Sequence, residues 1–96
     1  MKSFTYTVGD ENGIHARPAG VIVNAAKAFS SEVRIRKNAV DGNLTGGSGR
    51  EVDGKRLFSV MSLGARHGEK LTFTVDGADE DIAAATLERV CRDTLG

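Results

Sequence analysis

A chain with no tryptophan, one tyrosine, one proline and one cysteine has few large anchors and cannot close an internal disulfide. Its 13 basic residues balance 13 acidic ones, so no overall field favours nucleic acid or an anionic membrane. Any binding site must therefore be local. No stretch approaches the roughly eighteen consecutive apolar residues of a membrane-spanning helix. The opening MKSFTYTVGDENG also lacks the apolar segment of a signal peptide, so the cytoplasm is the default expectation. With 96 residues the chain suits one domain around one small core, which excludes a multidomain enzyme.

What is present is well patterned. Phe4, Tyr6 and Val8 alternate with Ser3, Thr5 and Thr7, which is the period of a half-buried strand. Val33 and Ile35 alternate with Glu32, Arg34 and Arg36, and Leu71, Phe73 and Val75 with Lys70, Thr72 and Thr74. Such strands, each with one apolar face, predict a sheet covered on one side, as antiparallel sheets allow. The cover should be helical. From Arg17 to Phe29 the residues Ala19, Ile22, Ala26 and Phe29 recur at helical spacing, with Pro18 in the first turn, where its missing N–H is harmless. Asp79, Glu80 and Asp81 open a second helix, whose inner stripe is Ala83, Ala84, Leu87, Val90 and Cys91. Cys91 then reads as core. Leu57 to Leu63, stopped by Gly64, reads as a two-turn helix, and a short strand is expected near Arg50 to Val52. The order strand, helix, strand, strand, helix, strand, helix makes an α+β layer pair.

Residues 39–50 are a glycine-rich hairpin connection in this reading. AVDGN at Ala39 to Asn43 is echoed by EVDGK at Glu51 to Lys55, and GGSG at Gly46 to Gly49 has the composition of a linker. Duplication and deliberate insertion both account for it.

The residues Asn12-Gly13-Ile14-His15-Ala16-Arg17-Pro18-Ala19-Gly20 put a histidine where a loop becomes a helix. Four unpaired N–H groups are expected there, at the positive end of the helix dipole, and this favours an anion. Arg17 adds a permanently charged fork that matches phosphate oxygens. A nucleophilic imidazole must be neutral, and its ordinary pKa near 6.5 makes it mostly so at pH 7, so no general base is required. The dipole contributes about 0.3–1 kcal/mol to holding an anion, up to about 2 when partly buried. That tethers a phosphoryl group without trapping it.

On these residues the chain resembles the HPr family, the histidine-containing phosphocarriers of the bacterial phosphoenolpyruvate:sugar phosphotransferase system. GIHARPAG matches the family's active-site motif, and the likeness continues from Val21 to Lys37 and from Glu51 to Leu95, including MSLG at Met61 to Gly64 and VDGADED at Val75 to Asp81. The resemblance implies one domain over 1–96, an open-faced β-sandwich of order βαββαβα, its four antiparallel strands covered on one side by three helices. It implies that enzyme I phosphorylates Nδ1 of His15, that Arg17 steadies the phosphate, and that IIA components of sugar permeases then take it. The chain would be a monomeric carrier with no cofactor and no metal, not an enzyme. Partner docking is implied at Ala16, Pro18, Gly20, Asn24, Lys27, Leu57, Phe58 and Met61.

The chain departs from the family at two places. Arg56 occupies the position where Gram-positive relatives carry a regulatory serine, so that control is expected to be absent or moved to Ser59 or Ser62. About ten residues are added between the second and third strands, a cheap change because closure entropy grows only logarithmically.

Other motifs read as ordinary structure. His67 sits in a turn without context. Gly49 to Lys55 has P-loop spacing, but Arg56 stands where the following Ser or Thr should be. Two histidines and one cysteine make no metal cluster, and the acids from Asp76 to Asp81 are a turn and a helix start. A regulatory module that binds partners without phosphate, a nitrogen-linked phosphorelay component and an engineered carrier bearing a loop insertion are the alternative readings.

Overall fold

The alternation of Phe4, Tyr6 and Val8 produces β1 (Lys2–Thr7), which lies along β4 (Lys70–Asp76) with Phe4 opposite Phe73. Those two rings stack with centroids 4.8 Å apart. The computed structural model describes residues 1–38 and 51–95, and the expected glycine-rich connection at 39–50 lies outside them. On the other side of β4 runs β2 (Glu32–Lys37), and beyond it β3 (Glu51–Asp53), so the strand order is β1-β4-β2-β3 with every pairing antiparallel. One face carries Leu71, Phe73, Val75, Val33 and Ile35, all buried; the other carries Thr72, Thr74, Arg34 and Arg36 and faces solvent.

Three helices cover the apolar face: α1 (Ala16–Lys27), α2 (Leu57–Met61) and α3 (Glu80–Leu95). Ala19, Ile22 and Ala26 of α1 and Ala83, Leu87 and Cys91 of α3 are buried, as their spacing requires, while Phe29, Ala84 and Val90 are partly covered. Burial pushes the Cys91 thiol up to about 12, so it is a core residue and a poor nucleophile. Helix α1 begins one residue before the expected Arg17, and its last turn tightens, with the Ala28 and Phe29 amides donating to Ala25 and Ala26. Helix α2 is shorter than two regular turns; three-residue hydrogen bonds from Leu63 and Gly64 wrap its end, and Gly64 takes the left-handed conformation that stops it.

Asp79 joins the two long helices. Its carbonyl accepts the Ala83 amide at the start of α3, and its carboxylate accepts the Ser30 and Ser31 amides, each at 2.9 Å, and the Ser31 hydroxyl, just after α1. Ser31 is the one buried polar side chain among the described residues. These donors hold the Asp79 carboxyl at about 2, below its ordinary 3.8. A depressed folded-state pKa stabilises the fold above the unfolded value and ceases to do so as pH falls from about 4 towards 2. Asp79→Ala is therefore expected to lower the urea midpoint at neutral pH, and the gap from the parent should close in acid titrations below that window.

Candidate functional site

Asp10-Glu11-Asn12-Gly13 turns the chain out of β1 towards α1: the Gly13 amide donates to the Asp10 carbonyl at 3.0 Å, and the Asn12 amide to Asp10 Oδ1 at 2.8 Å. Gly13 has φ +67, and a Cβ there would lie 2.4 Å from the Ala65 carbonyl oxygen. Only glycine allows this approach. The next amide, Ile14, donates to that same carbonyl at 2.9 Å, and Ile14, Leu63 and Ala65 are buried together. The loop before α1 is thus fastened to the loop after α2.

His15 follows as the N-cap of α1, extended at φ −120 and ψ −172, with its carbonyl accepting the Ala19 amide at 3.0 Å. Its side chain makes no cap hydrogen bond and keeps 44% of its surface exposed, leaving the ring accessible. Pro18 is the third helical residue, so the helix start presents three N–H groups, those of His15, Ala16 and Arg17, rather than the four expected from a generic helix. Arg17 is exposed, and its guanidinium makes no hydrogen bond or ion pair among the described residues. A helix start with open amides, an unengaged guanidinium and an exposed imidazole can receive a doubly charged anion.

Ala16, Gly20, Asn24 and Lys27 share one stripe of α1, and none of them is buried. Helix α2 packs beside α1 and carries Phe58, 82% exposed, with Leu57 and Met61 half-buried. Pro18, also in the expected docking set, is buried at the start of the helix. Arg56 is the N-cap of α2, exposed, with its Nε 3.6 Å from Asp53 Oδ2. Lys55, the P-loop candidate lysine, donates through Nζ to the Phe29 carbonyl at 2.8 Å and so closes the end of α1. His67 is exposed in its turn. Among the described residues, no three histidine, cysteine or acidic side chains could hold a metal ion, and no helix is long and apolar enough to cross a membrane.

One polar neighbour of His15 was not anticipated. Asp10 Oδ2 lies 3.8 Å from His15 Nε2. The turn signal of an aspartate three residues before a glycine was legible in the sequence; its approach to the imidazole was not.

A family model described as the PTS HPr component phosphorylation site matches residues 2–93. The chain belongs to the HPr family. The phosphocarrier protein HPr of Mycoplasma genitalium is 37% identical over 89 residues, covering 92% of this chain and 90% of that one. The multiphosphoryl transfer protein of Escherichia coli O157:H7 is 37% identical over 85 residues, which span 88% of this chain but 21% of that longer protein. In three dimensions the mycoplasma histidine-containing phosphocarrier superposes with a TM-score of 0.84 at 29% identity, covering 98% of this chain and 96% of the other. The four-stranded antiparallel sheet with helices on one side is therefore the HPr fold.

Proposed function

We propose that this HPr-family chain accepts a phosphoryl group on His15 Nδ1 from phosphorylated enzyme I and passes it to IIA components of sugar permeases in the cytoplasm. It acts as a stoichiometric carrier, not as a catalyst with its own substrate, and needs no cofactor. The observation that carries this reading is the exposed His15 ring at the start of α1, beside open amides and Arg17, whose guanidinium has no partner among the described residues. Attack by the Nδ1 lone pair moves the phosphoryl group onto the ring, and the amides and guanidinium take up its oxygens. A phosphorylated imidazole keeps a high transfer potential, which suits onward delivery. Incubation with enzyme I and phosphoenolpyruvate should add one acid-labile phosphoryl group, read by mass before and after mild acid. No gain would sink the proposal.

The stripe Ala16, Gly20, Asn24 and Lys27, together with Leu57, Phe58 and Met61, is the docking face in this reading. An exposed phenylalanine on so small a protein suits a transient partner. Gly20 offers a clean test because a Cβ there meets nothing within 4 Å. Gly20→Ala should stabilise the free protein by about 0.5–1 kcal/mol while raising the KM for enzyme I. An unchanged KM would remove Gly20 from the face.

Regulation by a serine kinase at the start of α2 should be absent, because Arg56 offers no hydroxyl. Incubation with such a kinase and ATP should leave no stable phosphoserine. Modification at Ser59 or Ser62 would show that the regulatory site had moved.

A further inference from the structure

We propose that Asp10 is a positioning residue for His15, keeping the ring proton on Nε2 so that Nδ1 presents its lone pair to phosphorus. The inference rests on the reading of His15 as the phosphoryl acceptor and adds what selects the reacting nitrogen. A neutral imidazole carries its proton on one nitrogen only, and a nearby acceptor decides which one. Asp10 Oδ2 is 3.8 Å from Nε2, too far for a direct hydrogen bond, so it acts on the ring proton through its charge.

The carboxylate is held there by its own turn. Its Oδ1 accepts the Asn12 amide at 2.8 Å and its backbone carbonyl the Gly13 amide at 3.0 Å, which directs Oδ2 towards the ring. Its side chain is only 26% exposed, against 44% for His15, so water screens it less than a free surface acid. The loop that carries both residues is fixed from behind by Ala65, whose carbonyl accepts the Ile14 amide and leaves no room for a side chain at Gly13.

In the transfer step the Nδ1 lone pair forms the bond to phosphorus, and the bond from phosphorus to the donor breaks with its electron pair leaving on the donor. The Nε2 proton stays where it is. The ring therefore gains positive charge as it accepts the group, and a carboxylate already facing Nε2 stabilises that charge without reorganising. Substituents on the two ring nitrogens point to opposite sides of the imidazole, so the carboxylate and the phosphoryl oxygens are kept apart. The same carboxylate favours positive charge on the phosphorylated ring, and a cationic ring is the better leaving group for onward transfer.

Asp10→Asn is the informative variant. Its amide oxygen can still accept the Asn12 N–H and keep the turn, but its NH2 then faces Nε2 and favours the opposite tautomer. Nitrogen-15 NMR of the imidazole in alkaline solution should show the proton moving from Nε2 to Nδ1. The rate of phosphorylation by enzyme I should fall about two- to fivefold, the range of a partly exposed ion pair. The amide spectrum should keep the parent pattern around Asn12 and Gly13. Asp10→Ala, which loses both the turn acceptor and the charge, should also slow transfer. A parent-like tautomer and rate in Asp10→Asn would overturn the proposal, and so would a defect seen only in Asp10→Ala, since that assigns Asp10 to the turn alone. If the unaltered protein gained no phosphoryl group on His15, the functional reading would fail, while the tautomer shift would still report on Asp10.

Discussion

His15→Ala should abolish the acid-labile phosphoryl group that enzyme I and phosphoenolpyruvate place on this protein, with no loss of fold. The side chain makes no cap hydrogen bond and is partly exposed, so its removal costs little packing. The backbone carbonyl that accepts the Ala19 amide is retained by alanine. Thermal unfolding close to that of the parent, alongside zero incorporation by mass, is the expected pair of results. Arg17→Ala should keep the nucleophile but remove the guanidinium that follows it in the first turn of α1, slowing transfer by about tenfold, the cost of one charge-assisted contact to phosphate. Full incorporation in His15→Ala would move the phosphorylation site elsewhere. An Arg17→Ala protein with parent rates would leave the oxygens to the amides alone.

The second large effect is expected at a residue with no reactive group. Gly13→Ala places a methyl 2.4 Å from the Ala65 carbonyl oxygen and asks an L-residue to hold φ +67. Left-handed strain and overpacking together should cost about 2–4 kcal/mol of stability, read as a lower urea midpoint. To relieve the clash, the loop must lift from Ala65 and lose the Ile14 hydrogen bond, which carries His15 away from its place. Transfer should therefore fall even at temperatures where the variant is fully folded. A Gly13→Ala protein with unchanged midpoint and rate would mean that the two loops are not fastened as described.

Much of this protein was legible in one dimension because its elements obey local rules. The alternation at Phe4 to Val8, Val33 to Ile35 and Leu71 to Val75 depends only on the pleat, and the spacing of Ala19, Ile22 and Ala26 depends only on the turn of a helix. These residues lie in the strands and helix that the periodicity puts there, except that Val8 falls just past the end of β1. The motif from Gly13 to Gly20 was likewise readable, because a histidine, an arginine and a proline at a helix start have meaning within a few residues of one another. Boundaries were less accurate. The expected Arg17 to Phe29 helix runs from Ala16 to Lys27, its end tightened by the Ala28 and Phe29 amides, and the Phe29 carbonyl beyond it accepts from the Lys55 ammonium, a partner 26 residues away.

The sequence by itself determined the elements, the apolar faces and the histidine at the helix start, each a consequence of neighbours along the chain. Only the tertiary structure decided the strand order β1-β4-β2-β3, the burial of Pro18, the bond of Ser31 to Asp79 and the seat of Gly13 against Ala65. It also decided the approach of Asp10 to His15. The physical reason is common to these cases: each depends on where a folded layer or a closed turn brings distant or oppositely directed groups. A residue pattern read along the chain carries no distance of that kind.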